Sequence, residues 1–125
     1  MAKQILDSLN IKYVDFGCHV EKNIDYNQFV IQATDALKNK NCNFVLGFCR
    51  TGQGVNMLAN KQKGTRAALI YDNYSAEMAV RHNCANFFSI PAKNVNYDQL
   101  NEIINIIKSN SFDGGRHMTR IKDND

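Results

Sequence analysis

Segments with strand-like and helix-like patterns alternate along this chain, and the alternation limits the fold more than any other feature. The run Phe44–Phe48 is continuously apolar, which is typical of a strand buried on both faces of a parallel sheet. Similar short segments predict strands at Lys12–Phe16, Arg66–Tyr71 and Asn86–Ile90. Helical patterns fill the intervals, at Ala2–Leu9, Tyr26–Lys38, Val55–Lys63, from Asp72 or Asn73 to about Arg81, and after Asn96. Asn96 with Gln99 three residues later resembles a capping box.

This order of segments predicts a doubly wound, Rossmann-like α/β fold: a parallel sheet of about four strands with helices on both faces. The length suits one domain, so residues 1–125 are predicted to form a single domain that ends in a tail at 112–125. Ligands of such sheets bind beyond the carboxyl ends of the strands. There we expect Cys49, Asp72 and the Arg81–Asn83 segment.

Composition excludes several classes of partner. The net charge of +3 comes from 15 basic and 12 acidic residues scattered over both halves of the chain. No block of like charge and no long apolar stretch occurs, so we expect neither a nucleic-acid footprint nor a membrane partner. The four cysteines form no Cys-x-x-Cys pair, which indicates reduced thiols in a cytoplasmic protein. Because structural zinc sites use closely paired ligands, we also expect no metal.

The segment Thr51–Gly54 follows a predicted strand and opens a helix. Its glycines let backbone N–H groups converge, and a helix N-terminus adds positive potential, so the loop could bind an anion or an oxyanion. Gln53 stands where a Walker loop needs lysine, and Met57 stands where a dinucleotide fingerprint needs its third glycine. A tight turn with no ligand fits the spacing equally well.

Cys49 ends the apolar run just before this loop. A cysteine in such a place is commonly an inert core thiol. Here, however, the following helix N-terminus and Arg50 both favour the thiolate. A thiolate beside an oxyanion-binding loop suits either nucleophilic attack or proton abstraction next to a carbonyl, and the residue pattern does not choose between them.

Two further segments carry groups that could serve a site. His82 lies at the end of a predicted helix, where a capping histidine is the plain explanation. Arg116 and Arg120 lie four residues apart with His117 between them. On a helix the two guanidinium groups share a face and could clamp a phosphate, whereas the competing interpretation is a solvated terminal helix.

Three stretches, FCRTGQGVNMLANK, RHNCAN and FDGGRHMTRI, occur in an order and spacing that resemble type B ribose-5-phosphate isomerases and the related galactose-6-phosphate isomerase subunits. The likeness runs from Val14 to Ile121. It implies a doubly wound α/β enzyme that interconverts aldose and ketose sugar phosphates through an enediol, without a cofactor. Ribose 5-phosphate and ribulose 5-phosphate are the expected pair. The resemblance also implies a homodimer or dimer of dimers whose active sites draw on two subunits.

The resemblance implies a role for each matching position. Cys49 would be the base that moves a proton between two carbons of the sugar, His82 would donate a proton, and His117 would assist ring opening. Thr51 and the loop amides would hold the enediolate oxygen. The substrate contacts would be Tyr26, Arg50, Gly52, Gln53, Gly54, Asn83, Lys93, Arg116 and Arg120, the last two holding the phosphate.

The sequence departs from the family pattern in several places. Arg50 replaces a glycine, Pro91 stands where glycine is usual, and Lys93 stands where arginine is common; lysine keeps the charge but loses the bidentate fork. The chain begins inside the first helix of the pattern, so the family's first strand and a sugar-contacting Asp-His pair are expected to be absent from it. The alternative function is therefore a non-catalytic or partner subunit that binds a sugar phosphate without converting it.

Overall fold

The structure of the protein is a computed structural model that describes residues 1–17 and 25–124. Its strands are β1 (Val45–Cys49), β2 (Ala67–Leu69) and β3 (Phe87–Pro91). The α-helices within the described ranges are α1 (Ala2–Ser8), α2 (Asn27–Lys38), α3 (Gln53–Asn60), α4 (Asn73–Arg81), α5 (Tyr97–Ser109) and α6 (Arg116–Ile121). Short 3-10 helices follow β3 at Ala92–Asn94 and α6 at Lys122–Asn124.

The described strands form one parallel sheet in the order β1-β3-β2. Val45 lies opposite Phe87, and the register continues to Cys49 opposite Pro91. On the other side of β3, Ala67 also lies opposite Phe87. β3 is therefore the central strand, and all of its residues are buried. The predicted α/β fold class is confirmed.

The strand predicted at Lys12–Phe16 was wrong, since the structure assigns no strand to this segment. A strand exists by exchanging backbone hydrogen bonds with a neighbour, and no such bond joins Lys12–Phe16 to the sheet among the described residues. An ion pair instead ties the segment to α1, with Lys3 Nζ at 2.6 Å from Asp15 Oδ2. The described sheet thus has three strands rather than four.

Apolar side chains cover both faces of the sheet. Phe87 and Phe88 are neighbours on β3, so their rings point to opposite faces. Phe88 belongs to a cluster with Ile5 of α1 and Ile104 of α5. Phe87 packs in a second cluster with Val55 of α3 and Val30 of α2. Helices therefore lie on both faces, as the alternating pattern predicts.

Local side-chain bonds set where two helices begin. Asp72 accepts a hydrogen bond from the Ser75 N–H at 2.7 Å and caps α4. Asn96 accepts from the Gln99 N–H at 2.9 Å and donates its own N–H to the Gln99 side chain at 3.2 Å. The capping box predicted at Asn96 is confirmed, and Asp72 is the cap of α4.

Asparagine side chains fix the chain at the amino ends of β2 and β3. The Asn60 side chain bonds both the N–H and the C=O of Ala67, at 2.8 and 2.9 Å. The Asn86 side chain accepts from the Arg66 N–H at 2.7 Å and donates to the Gly64 carbonyl at 2.9 Å. Two asparagines of the resemblance motifs thus have a structural task. No helix in the described ranges is long and apolar enough to cross a membrane.

Candidate active site

The cysteine at the end of β1 accepts a hydrogen bond from the loop that follows it. Cys49 lies opposite Pro91 at the carboxyl edge of the sheet. The Gly52 N–H donates to the Cys49 sulfur at 3.2 Å, and α3 begins at the next residue, Gln53. An amide donor aimed at sulfur stabilises negative charge there, as does the N-terminal end of a helix. The loop geometry therefore suits a reactive thiol rather than an inert one.

Gly52 is held in a conformation that other residues rarely adopt. Its φ is +76°, and a Cβ at this position would lie 2.6 Å from Leu69 Cδ1. From the central strand β3, the buried Ser89 hydroxyl donates to the Gly52 carbonyl at 2.5 Å. Arg50, by contrast, does not have a positive φ, so the loop accommodates this departure from the family glycine without backbone strain.

Tyr26 reaches the same loop from the start of α2. A Cβ built on Gly54 would overlap the Tyr26 hydroxyl, so the phenol lies against the first turn of α3. In the same loop, the Thr51 hydroxyl accepts a hydrogen bond from the Gln53 N–H at 3.3 Å. The structure thus brings together Tyr26, Cys49, Thr51, Gly52, Gln53 and Gly54, which we call the thiol half-site.

Two cations stand at the rim of the thiol half-site. The Lys93 N–H donates to the Arg50 carbonyl at 3.2 Å, so the 3-10 helix after β3 is tied to the loop. Both residues are exposed. An anionic substrate at Cys49 would therefore find positive charge on the solvent side of the loop.

A cavity of about 400 Å³ opens at the same edge of the sheet, but on the β2 side. It is lined by Tyr71, Asp72, Pro91, Glu102 and Ile103, among others, and by no member of the thiol half-site. The lining includes two carboxylates and no basic side chain, so the cavity does not suit a phosphate. The geometry of the thiol, rather than this cavity, marks the candidate site.

The histidines predicted for the site lie next to each other. His82 follows the last residue of α4, and His117 is in α6. Their rings are stacked, with centroids 4.1 Å apart and planes inclined by 13°. Arg116 and Arg120 are exposed on the same short helix as His117, four residues apart, as a clamp requires. With Asn83, these residues form what we call the imidazole half-site.

Asp113 joins this group and was missed at the sequence level. One carboxylate oxygen accepts a hydrogen bond from Arg81 Nε at 3.3 Å, and the other forms an ion pair with a terminal nitrogen of Arg81 at 3.1 Å. Its Oδ2 also lies 3.8 Å from His82 Nε2. The Arg81 guanidinium, above all through its hydrogen bond, holds the pKa of Asp113 below its ordinary value. The available signal was an acidic residue directly before Gly114-Gly115.

His117 is the buried member of the stack, with 7% of its surface exposed. Burial lowers the pKa of His117, and electrostatic repulsion from His82, Arg116 and Arg120 lowers it further. The ring is therefore neutral at neutral pH, so it retains one nitrogen that accepts and one that donates a proton.

One atom each from His82, Asp113 and His117 lie within 4.8 Å of one another. Such a donor set could hold a transition metal only after rearrangement, because Arg81 already binds both carboxylate oxygens. The two imidazole rings also face each other rather than converge on one point. The arrangement is that of two stacked rings beside the Arg81–Asp113 ion pair.

The two half-sites lie at opposite ends of the sheet. Arg66, just before β2, donates from Nε to the Cys84 carbonyl at 2.7 Å, so the segment after α4 lies at the amino ends of the strands. Cys49 lies at the carboxyl end, and a five-residue strand spans roughly 13 Å. The expectation that Arg81–Asn83 shares an edge with Cys49 was therefore wrong. The reason is that α4 runs back across the sheet, antiparallel to the strands it connects.

A family model described as Ribose/Galactose Isomerase matches residues 1–123. The chain belongs to the ribose/galactose isomerase family. A protein of Mycoplasma genitalium named probable ribose-5-phosphate isomerase B is 35% identical over 119 residues, which make up 93% of this chain and 78% of that protein. The family predicted from the three sequence motifs is confirmed.

Solved structures agree with this family. A ribose 5-phosphate isomerase from Thermotoga maritima matches with a TM-score of 0.95 at 31% identity, covering 99% of this chain and 86% of that one. A ribose-5-phosphate isomerase B from Clostridium thermocellum matches with a TM-score of 0.92 at 32% identity, covering 97% of this chain and 82% of that one. The chain is accordingly an isomerase of the sugar-phosphate family.

Proposed function

We propose that the protein converts ribose 5-phosphate to ribulose 5-phosphate, with Cys49 as the base. The observation that carries this proposal is the Cys49 sulfur, which accepts the Gly52 N–H at 3.2 Å at the mouth of the glycine loop. Relatives named ribose-5-phosphate isomerase B share the fold and about a third of the sequence. Because Cys42, Cys49 and Cys84, the cysteines in the described ranges, are free thiols, the reaction belongs in the reducing cytoplasm.

The proposed chemistry is a proton transfer. The Cys49 thiolate removes the proton on carbon two of the open-chain aldose, which leaves an enediolate. The amides of the loop, with Thr51, hold the oxygen where negative charge develops. The hydroxyl proton then passes from oxygen two to oxygen one, and the same sulfur returns its proton to carbon one, which gives the ketose with no change in the number of atoms. Loop donors of this kind contribute about 10²–10³ in kcat each.

The remaining roles fall to the imidazole half-site and the rim. Arg116 and Arg120 would hold the phosphate, and Asn83 would contact the sugar. His117, which is neutral, can assist ring opening, while His82 donates a proton to the ring or chain oxygen. On the other side of the substrate, Tyr26, Arg50 and Lys93 would line the thiol half-site.

We further propose that each active site forms between two copies of the chain. Within one protomer the thiol and imidazole half-sites are separated by the length of the sheet, so a single copy cannot place both on one small sugar. In a homodimer, or a dimer of dimers, the thiol half-site of one copy faces the imidazole half-site of the other.

The test is an assay of ribose 5-phosphate conversion by the parent and by Cys49→Ala, with Cys42→Ala as a matched cysteine control. We expect the parent and Cys42→Ala to be active and Cys49→Ala to lose about 10³-fold in kcat, within the range of a general base. Parental turnover by Cys49→Ala would contradict the assignment of the base.

The same variant tests the shared site. We expect Cys49→Ala and His82→Gln each to be inactive alone, and co-expression to form mixed dimers in which one of the two sites has both groups. Statistical mixing then restores about a quarter of parental activity. Sites contained within one chain would give no recovery.

A second candidate function is a partner subunit that binds a sugar phosphate without converting it. The separation of the half-sites favours it, because the Arg116–Arg120 clamp can bind a phosphate with no thiol nearby. A rise in melting temperature with ribose 5-phosphate, together with no turnover by the purified chain, would support this candidate over the enzyme.

A further inference from the structure

Arg81 connects two carboxylates along the end of α4. A terminal nitrogen of its guanidinium lies 2.7 Å from Glu77 Oε1, one helical turn back. Its other side binds Asp113 through two nitrogens. These contacts form a row of alternating charge, Glu77–Arg81–Asp113, which ends 3.8 Å from the His82 ring. Glu77 and Asp113 therefore share one cation, but only Asp113 approaches a histidine.

Asp113 is attached to α4 by its backbone as well as its side chain. The Asp113 N–H donates to the Arg81 carbonyl at 2.9 Å. Immediately afterwards Gly114 and Gly115 have φ values of +69° and +57°, and the His117 N–H bonds the Gly114 carbonyl at 3.2 Å. This tight turn places the His117 ring over the His82 ring. The backbone bond anchors the tail, so the carboxylate is available for a separate task.

We propose that Asp113 is a positioning residue whose carboxylate, gripped by Arg81, holds His82 in its stack with His117. Its consequence for turnover rests on the proposed isomerase function, whereas its effect on ring geometry does not. If the Asp113 carboxylate is lost, the backbone of His82 stays in place. Its ring nitrogen, however, loses the only acidic group that lies near it among the described residues. His82 would then rotate among several rotamers.

Asp113→Asn isolates this task because it changes the charge and little else. The asparagine keeps its backbone N–H, so the bond to the Arg81 carbonyl survives. One side-chain oxygen becomes an NH2 group, a donor facing the donors of Arg81, and the bidentate pair is broken. Glu77→Gln is the matched control, because it weakens the other contact of Arg81 and touches neither histidine.

The first measurement is proton NMR of the imidazole rings, which needs no turnover. The chain has three histidines, so the signals can be assigned from His82→Gln and His117→Gln. In the parent, we expect the facing ring to displace the ring signals of His82 and His117. We expect Asp113→Asn to move both toward the values of an exposed histidine, and Glu77→Gln to leave them in place. Unmoved signals in Asp113→Asn would overturn the proposal.

The second measurement separates kcat from KM in the assembled enzyme. We expect Asp113→Asn to lower kcat about tenfold, a fraction of what a positioned proton donor contributes, while KM for ribose 5-phosphate changes less than about twofold. Inhibition by inorganic phosphate should be unchanged, because the backbone still anchors Arg116 and Arg120. Asp113→Glu, which keeps the charge, should recover part of kcat.

Each outcome bears on one proposal. An equal loss of kcat in Asp113→Asn and Glu77→Gln would mean that Asp113 only helps to stabilise the end of α4. That result would overturn its positioning role. A rise in KM and weaker phosphate inhibition at constant kcat would make it a tail anchor instead. If the parent itself converts no ribose 5-phosphate, the isomerase proposal fails, and the NMR comparison still decides whether Asp113 sets the ring geometry.

Discussion

The two ends of the sheet build their half of the site in different ways. At the carboxyl end, the thiol half-site uses backbone groups: the Gly52 N–H bonds Cys49, and the Gly52 carbonyl is held by Ser89. At the amino end, the imidazole half-site uses charged and aromatic side chains, with Asp113 between Arg81 and His82. The geometry of the thiol half-site therefore depends on close packing around the backbone, whereas that of the imidazole half-site depends on the charge of its side chains.

The glycines show the same difference. A Cβ on Gly52 would meet Leu69 at 2.6 Å, whereas a Cβ on Gly114 or Gly115 would meet nothing within 4 Å. The loop at Cys49 is thus packed on its inner side and cannot shift without moving the sheet. The turn before α6 is open, and bonds from Asp113 hold it in place. A packed half-site should respond most strongly to added volume, and a charged one to pH.

Among changes that leave the reacting groups in place, the largest effect should come from a single methyl group in the packed half-site. Gly52→Ala must adopt φ near +76° and push against Leu69, so the amide moves away from the Cys49 sulfur. We expect a loss of kcat of about 10²-fold or more, because the loop donors no longer match the enediolate. Steady-state kinetics with ribose 5-phosphate would measure it.

Gly64→Ala is the control for backbone strain. Gly64 also has a positive φ, +82°, but has open space around it and lies outside both half-sites. We expect it to lower the free energy of unfolding by about 1 kcal/mol and to leave kcat unchanged. Equal kcat losses in the two variants would show that strain, and not the position of the Gly52 amide, limits turnover.

A smaller effect should follow from Ser89→Ala. The variant leaves the Gly52 carbonyl without its buried donor, so the free energy of unfolding should fall by about 1–3 kcal/mol. Urea unfolding would measure this change. Ser109→Ala, at the exposed end of α5, should change stability by less than about 0.5 kcal/mol. If both serines gave the same value, packing beneath the loop would not explain its rigidity.

The smallest effect should appear in the pH dependence of stability. The pKa of His117 is lowered in the folded protein, by burial first and then by His82, Arg116 and Arg120, with Asp113 opposing. The unfolded chain therefore binds this proton more readily, so stability is complete above about pH 6.5 and falls as the pH drops below it.

His117→Gln removes this group. Thermal unfolding at pH 7.5 and pH 5 should show the parent losing more stability on acidification than His117→Gln. A parent and variant with parallel profiles would mean that the proton on His117 is not coupled to folding. Gly64→Ala, which lies outside both half-sites, is the control and should follow the parental profile throughout.

Patterns that are local in the sequence predicted the fold well. The alternation of segments gave the parallel sheet, and the Asn96–Gln99 spacing gave the start of α5. Both depend on backbone periodicity and on contacts a few residues apart. The motif resemblance also gave the family, because the loop at Cys49 and the tail at Arg116 keep a fixed order and spacing.

Features that depend on distant contacts were harder to predict. Lys12–Phe16 has the composition of a strand, but a strand needs a partner, and composition does not reveal whether one is adjacent. The position of His82 relative to Cys49 depends on the direction in which α4 crosses the sheet. The Arg81–Asp113 pair joins residues 32 positions apart, and no local pattern indicates it.

The one-sided pairing of β1 has a practical consequence for handling the protein. β1 bonds β3 along one edge, and in the described part of the chain its other edge has no strand beside it. Phe48 is 38% exposed on this strand. An extended segment of another molecule can pair with such an edge strand through backbone hydrogen bonds, which is the first step of fibril growth. Concentrated solutions of the protein should therefore aggregate sooner than dilute ones. A charged side chain in place of Phe48 should delay the rise in turbidity that reports this aggregation.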